Sequence, residues 1–275
     1  MASRARTVSG STEAEQTGFI DSVGQRVRYR VRGNGPPLLM IHGIGAPLEL
    51  WRPLESRLSD FQTITVDPPG AGHSSMPQGR FRMAQFAEVM DDLLTHLRLD
   101  SASVVGLSLG GMIAQEFAHR SPDRVDKLIL ASTSCGWSIN PMTMSLFATP
   151  VRRYARDRGA PVAAAAAATL QAEPVSSLLR LHWELREHYN PSLRGYLVGL
   201  TAAWTWSSRR WLRELEMPVL AIAGSDDAIV PVANSRIIAN SVRNGRLEVF
   251  PGAGHLCLLK QPVKAARLIR EFLAQ

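Results

Sequence analysis

Short apolar runs recur along the chain at near-regular intervals. Leu38–Ile41, Ile64–Val66, Val104–Leu107 and Leu128–Leu130 are each closely followed by Gly, Pro or Ser. The segments between them, about 48–59, 82–98 and 110–120, place apolar residues at helical spacing. Runs that are apolar throughout predict strands buried on both faces, so the alternation implies a parallel sheet covered by helices on two sides. Ahead of it, Val27-Arg28-Tyr29-Arg30-Val31 alternates with period two beside a Val23-Gly24 turn, which predicts an edge hairpin over 18–32.

The texture changes at Gly136. From there to about Ser208 no strand-like run occurs; a Met-rich stretch leads into an alanine run at 163–168 and then into aromatic and Arg-rich segments. Alanine is the best helix former, so this region is expected to be helical. Strand and helix then resume with Val219–Ala223, a helix over about 232–241, Leu247–Phe250 and a final amphipathic helix ending at Leu273. The expected architecture is α/β, a core of 18–135 and 209–275 with a helical cap, 136–208, inserted into it. Residues 1–17 are polar, lack an apolar signal-like core and are expected to form a disordered leader.

The chemistry concentrates at strand ends. Gly106-Leu107-Ser108-Leu109-Gly110-Gly111 follows the strand ending at Leu107 and opens the helical segment 110–120. A strand, a sharp turn carrying serine and a helix form the context of a nucleophile elbow. The small residues flanking Ser108 let neighbouring backbone close in, and the helix start aims its dipole at a developing anion. At the end of an earlier strand, Ile41-His42-Gly43-Ile44-Gly45 makes a glycine-loosened turn. It could aim the Ile44 N–H inward opposite the Leu109 N–H, a pair able to hold an oxyanion at roughly 3–4 kcal/mol per donor. His42 itself reads as a turn residue.

Serine needs a base, and the base needs an acid to orient it. Among seven histidines, only His255 lies in a Gly-rich loop directly after a strand near the C-terminus, Phe250-Pro251-Gly252-Ala253-Gly254-His255. His96 and His119 fall on helices, and His182 and His188 in the cap. For the acid, Gly224-Ser225-Asp226-Asp227 follows a strand and offers two candidates, Asp226 and Asp227. Asp67 is expected to stabilise its own Pro-Pro-Gly turn.

Composition narrows the classes. No apolar run reaches the roughly 18 residues of a membrane span, and two cysteines, Cys135 and Cys257, make neither a disulfide scaffold nor a metal site. The net charge of +7 comes with 28 arginines against three lysines, Lys127, Lys260 and Lys264, out of 31 basic residues. Arginine-rich as it is, the chain shows no basic stretch interleaved with aromatics as in a nucleic-acid module. Residues 136–211 carry nine arginines against four acids, Asp157, Glu173, Glu184 and Glu187, so the cap is about +5 and suited to a negatively charged particle or granule surface.

From about residue 18 onward the chain resembles the α/β-hydrolase superfamily. The resemblance rests on His42-Gly43-Ile44-Gly45, on Asp67-Pro68-Pro69-Gly70-Ala71-Gly72-His73-Ser74-Ser75, on the serine elbow, on Gly224–Pro231 and on Gly254-His255. It implies the α/β-hydrolase fold with an inserted helical cap, the order Ser108, Asp227, His255 for nucleophile, acid and base, and neither cofactor nor metal. The preference for Asp227 over Asp226 comes from this family's spacing. Gly43–Trp51, the cap exit Gly199-Leu200-Thr201-Ala202-Ala203-Trp204-Thr205-Trp206 with Trp211-Leu212, and Leu256 after His255 resemble intracellular depolymerases of medium-chain-length poly(3-hydroxyalkanoate). Leu109 departs from that family, whose best-known members carry Trp there.

The resemblance implies an ester hydrolase acting on a polyester or an aliphatic ester, and the two cysteines and the polar N-terminus place it in the cytoplasm. Trp204, Trp206, Met142 and Met144 are candidate walls of an apolar acyl pocket. Two other readings keep the same motifs. One is a carbon–carbon bond hydrolase of ring-fission products; the other is a non-catalytic ligand-binding protein on the same fold.

Overall fold

The computed structural model describes residues 15–136 and 193–275. Among them a single eight-stranded sheet runs in the order β1-β2-β4-β3-β5-β6-β7-β8. The strands are β1 Glu15–Ser22, β2 Gln25–Arg32, β3 Pro37–Ile41, β4 Gln62–Val66, β5 Ala102–Leu107, β6 Val125–Ala131, β7 Val219–Gly224 and β8 Gly245–Phe250. β1 and β2 form an antiparallel hairpin, β2 joins β4 antiparallel, and every later pairing is parallel. The hairpin turn places both Val23 (φ 50°) and Gly24 (φ 67°) in the left-handed region, the geometry that matches the twist of flanking strands.

The helices are α1 Arg52–Glu55, α2 Met83–His96, α3 Leu109–Arg120, α4 Leu193–Trp204, α5 Val232–Ser241, α6 Cys257–Lys260 and α7 Pro262–Leu273. One sheet face packs against α2, α3 and α5 through Leu39, Val104, Leu128, Phe86, Ile113 and Ile238. The other packs against α1, α6 and α7 through Met40, Val105, Ile129, Leu54, Leu258 and Ile269. Central strands are therefore apolar on both faces, and β7 is buried at every position. Together these features make the α/β-hydrolase fold: a mostly parallel sheet flanked by helices.

Two local expectations are corrected. β1 begins at Glu15, so the polar segment expected as a leader through residue 17 already pairs with Arg32, Val31 and Arg30 of β2. An exposed edge strand can stay polar, and its composition therefore hides it. The helix expected over 48–59 splits into a 3₁₀ turn, Leu48–Trp51, and the short α1. Pro53 has no N–H to give to Glu49, and the Arg52 N–H closes that turn instead. The final helix ends at Leu273 as expected, with Pro262 at its start after the separate short α6.

The insertion leaves the sheet just after β6. Gly136 forms an isolated bridge with Ser207, and the Ser208 N–H donates to the Cys135 carbonyl at 3.0 Å. The buried Gln115 amide ties this neck to α3: its Nε2 donates to Gly111 and Ser134 carbonyls, and its Oε1 accepts from Ser208 Oγ at 2.7 Å. Within the expected cap, α4 is a helix; residues 137–192, with Met142 and Met144, lie outside the described residues.

Candidate active site

Ser108 stands between the last residue of β5 and the first of α3 with φ 56° and ψ −118°. Such a conformation costs free energy in an L-residue and persists only where the surroundings over-determine it. Here they do. A Cβ on Gly106 would strike the Gly110 carbonyl and Gly111, and one on Gly110 would fall on the Ile41 and His42 carbonyls. Those two positions tolerate no side chain, which is why the serine is flanked by glycine. The Ser108 N–H donates to the Ala131 carbonyl at 2.9 Å, and its own carbonyl accepts from Thr133 Oγ1 at 2.7 Å. The side chain itself is only half-buried.

The His42–Gly45 turn lies directly against this serine. A Cβ built on Gly43 would sit 3.2 Å from Ser108 Cβ and 3.7 Å from its Oγ. Leu109 occupies the first turn of α3, where an N–H has no intrahelical acceptor. The side chains of Ile44 and Leu109 meet beneath Gly199 of α4, whose Cβ would approach Leu109 Cδ2 to 2.9 Å and Ile44 Cδ1 to 3.2 Å. Through Gly199 the returning helix of the insertion thus roofs the two residues expected to supply oxyanion donors.

Asp227 follows β7 with its carboxylate fully buried. Oδ1 accepts the Ile229 and Val230 N–H groups at 2.9 and 2.8 Å, which fixes the rotamer. Oδ2 stands 3.0 Å from His255 Nδ1, whose side chain retains 11% exposure after β8. Asp226, the alternative acid, is exposed and accepts from Ser225 Oγ. The carbonyls of Ala253 and Gly254 press on Gly224, so the loop carrying His255 is held against the end of β7. Two residues on, Cys257 Sγ lies 3.6 Å from Ser132 Oγ, one position past the Ala131 that holds the elbow. Burial pushes the Cys257 thiol up to about 11, with the Asp227 charge adding to the shift. Ser108, Asp227 and His255 thus follow β5, β7 and β8, at the C-terminal edge of the parallel strands, where open α/β sheets bind ligands.

The expected pocket walls divide. Trp204 lies on α4 and is 48% exposed. Trp206 packs edge-on against Trp211 and donates its indole N–H to Glu116 Oε2 at 2.7 Å. Within the described residues Trp206 thus fastens the neck to α3. Sequence reasoning also undervalued Asp67. Its buried carboxylate does serve its own turn through the His73 N–H, yet it also receives Leu48 N–H and Arg28. The one available signal was arginine at alternate positions of a strand, Arg28, Arg30 and Arg32.

Among the described residues no group of three or more His, Cys, Asp or Glu converges as a metal site, and no described helix is long and apolar enough to cross a membrane. Residues 36–262 match the model of the alpha/beta hydrolase fold family. A poly(3-hydroxyalkanoate) depolymerase from Ectopseudomonas oleovorans is 34% identical over 93% of this chain and 92% of its own. A pimeloyl-[acyl-carrier protein] methyl ester esterase from Nitrosomonas europaea is 30% identical over 86% of this chain and 95% of its own. Among solved structures, a hydrolase from Pseudomonas aeruginosa PA01 superposes with a TM-score of 0.81 at 27% identity, covering 94% of this chain and 98% of its own.

Proposed function

We propose that this chain, which belongs to the α/β-hydrolase family, cleaves carboxylic esters through a serine acyl-enzyme. One observation carries the reading: a fully buried Asp227 carboxylate, 3.0 Å from His255 Nδ1, at the sheet edge where Ser108 stands on a strained turn.

The carboxylate accepts a hydrogen bond from the Nδ1–H of His255, which leaves Nε2 as the basic atom. His255 takes the Ser108 Oγ proton as that oxygen attacks the ester carbonyl. The negative charge then developing on the carbonyl oxygen faces the N–H groups of Ile44 and Leu109. Collapse expels the alcohol, protonated by His255, and a water activated by the same imidazole releases the acid and restores Ser108. Ile44, Leu109 and the α4 segment with Trp204 offer an apolar boundary for an acyl chain.

The substrate reading is a polyhydroxyalkanoate or a related aliphatic ester, which the depolymerase relative and the basic insertion support. A fluorophosphonate probe should label the wild-type protein and fail to label Ser108→Ala. Turnover of p-nitrophenyl octanoate should fall by roughly 10⁵–10⁶ in that variant. Retained labelling or turnover in Ser108→Ala refutes the acyl-enzyme. Faster turnover of a ring-fission dienoate than of the octanoate would favour carbon–carbon cleavage by the same side chains. Clearing of a medium-chain polyhydroxyalkanoate suspension tests the polymer, and binding to such particles should weaken as salt is added.

A further inference from the structure

We infer that Asp67 is a positioning residue for the loop that carries Ile44. The inference rests on the oxyanion role proposed above for Ile44. Asp67 follows β4, which β3 separates from β5, and its side chain is fully buried. Oδ1 accepts the Leu48 N–H at 2.7 Å and lies 3.4 Å from His42 Nε2. His42 directly follows β3 and Leu48 opens the 3₁₀ turn, so one carboxylate oxygen bonds the far end of the segment containing Gly43, Ile44 and Gly45 and stands close to the imidazole at its near end. Inside that segment the backbone provides little of its own: the Ala46 N–H reaches the Gly43 carbonyl only at 3.4 Å. His42 adds a short local tie, its Nδ1–H donating to the Gly43 carbonyl at 2.8 Å.

The carboxylate is in turn held from three sides. Oδ2 accepts the His73 N–H at 3.0 Å and faces Arg28 Nη1 at 3.3 Å. Arg28, on β2, also bridges to Glu49 at 2.5 Å, one residue past Leu48. Gly72 packs so closely on the carboxyl group that a Cβ there would overlap it. The far end of the loop is therefore fixed to β2 and β4 by a charged cluster of Arg28, Glu49 and Asp67. Charge-assisted bonds of this kind are short, directional and costly to leave unmade in a buried setting. Rate in an acyl transfer falls steeply when an oxyanion donor is displaced, so the Asp67 cluster sets the height of the Ile44 N–H without touching substrate.

Asp67→Asn keeps the shape and one acceptor while removing the charge. Its kcat, counted per active site by fluorophosphonate titration, should drop roughly 10–100-fold with KM within about threefold of wild type. Its Ki for an alkyl boronic acid, a tetrahedral anion mimic, should rise by the same factor as kcat/KM falls. Asp91→Asn, which breaks the remote Arg124–Asp91 pair, serves as the comparison and should leave kcat per active site unchanged. A protein that merely loosened would lose titratable sites and melting temperature, not affinity for the boronate. Values of kcat and Ki in Asp67→Asn within about twofold of wild type overturn the inference. If Asp67→Asn does not accumulate folded, Glu49→Gln carries the test: a roughly 3–10-fold fall in kcat supports it and an unchanged kcat overturns it. Activity persisting in Ser108→Ala would remove the hydrolytic mechanism itself; activity lost there but intact in Asp67→Asn removes only the role of Asp67.

Discussion

At the scale of single residues, identity and neighbourhood carry different amounts of information. Ser108 could be picked out because glycines on both sides betray a turn that tolerates no Cβ, and the structure shows the carbonyls responsible. The two adjacent acids after β7 could not be told apart by residue type. Burial separates them, since Asp227 is enclosed with three donors while Asp226 faces solvent. Asp227→Asn should leave the loop in place yet lower kcat by about 10⁴, because an amide can present the wrong imidazole tautomer to the serine; steady-state ester hydrolysis measures it. Cys257 gives a second test. Its folded pKa of about 11 exceeds the ordinary 9.0, so the folded state holds that proton more tightly. The associated stability is complete below pH 9 and is lost as pH rises from about 9 to about 11. Iodoacetamide at pH 8 should therefore spare Cys257 in the native protein and modify it after unfolding in urea.

Elements were legible where their apolar pattern was regular. β3, β5, β6 and β7, with α2 and α3, fall where continuous runs and helical spacing place them. The hidden ones are polar or interrupted: the start of β1, whose side chains look outward, and the helix expected over 48–59, broken near Pro53. The cap exit was expected at the acyl pocket through Trp204 and Trp206, but its close packing through Gly195 and Gly199 was invisible, because glycine brings no side chain to read. Gly199→Ala tests that contact. Its Cβ would come within 2.9 Å of a terminal Leu109 methyl, which can yield, and 3.2 Å of Ile44. Alanine gains up to about 1 kcal/mol in helix propensity, and crowding costs about as much, so urea midpoints should barely move. An acyl-chain series should show the change instead, with kcat/KM for octanoate esters falling roughly 3–10-fold and that for acetate esters less.

Over the whole molecule, the two sheet faces are built differently. The face against α2, α3 and α5 is apolar across its width. The opposite face is apolar under α6 and α7 but ionic toward β2, where Arg28 meets Glu49 and Asp67, and Arg30 meets Glu55. Burial raises the Glu55 carboxyl above its ordinary value although Arg30 pulls it down, the mark of an ion pair taken out of water at a cost. Removing one partner strands the other: Glu55→Ala should lose about 3–5 kcal/mol of unfolding free energy in urea titration. Glu55→Ala with Arg30→Met should recover much of that loss. This ionic face was foreshadowed only by arginines at alternate positions of a strand, since their partners lie more than twenty residues away.

The neck at Gly136 and Ser207 has a consequence for how such a protein changes. The chain departs and returns through one bridge, with Gln115 stapling both strands of the neck to α3, so the two ends of the insertion are held in a single socket. A segment exchanged between those two ends can leave the sheet register untouched, provided the contacts of α4 with Ile44 and Leu109 are kept. New substrate preferences can then arise by grafting, at little risk to the chemistry underneath.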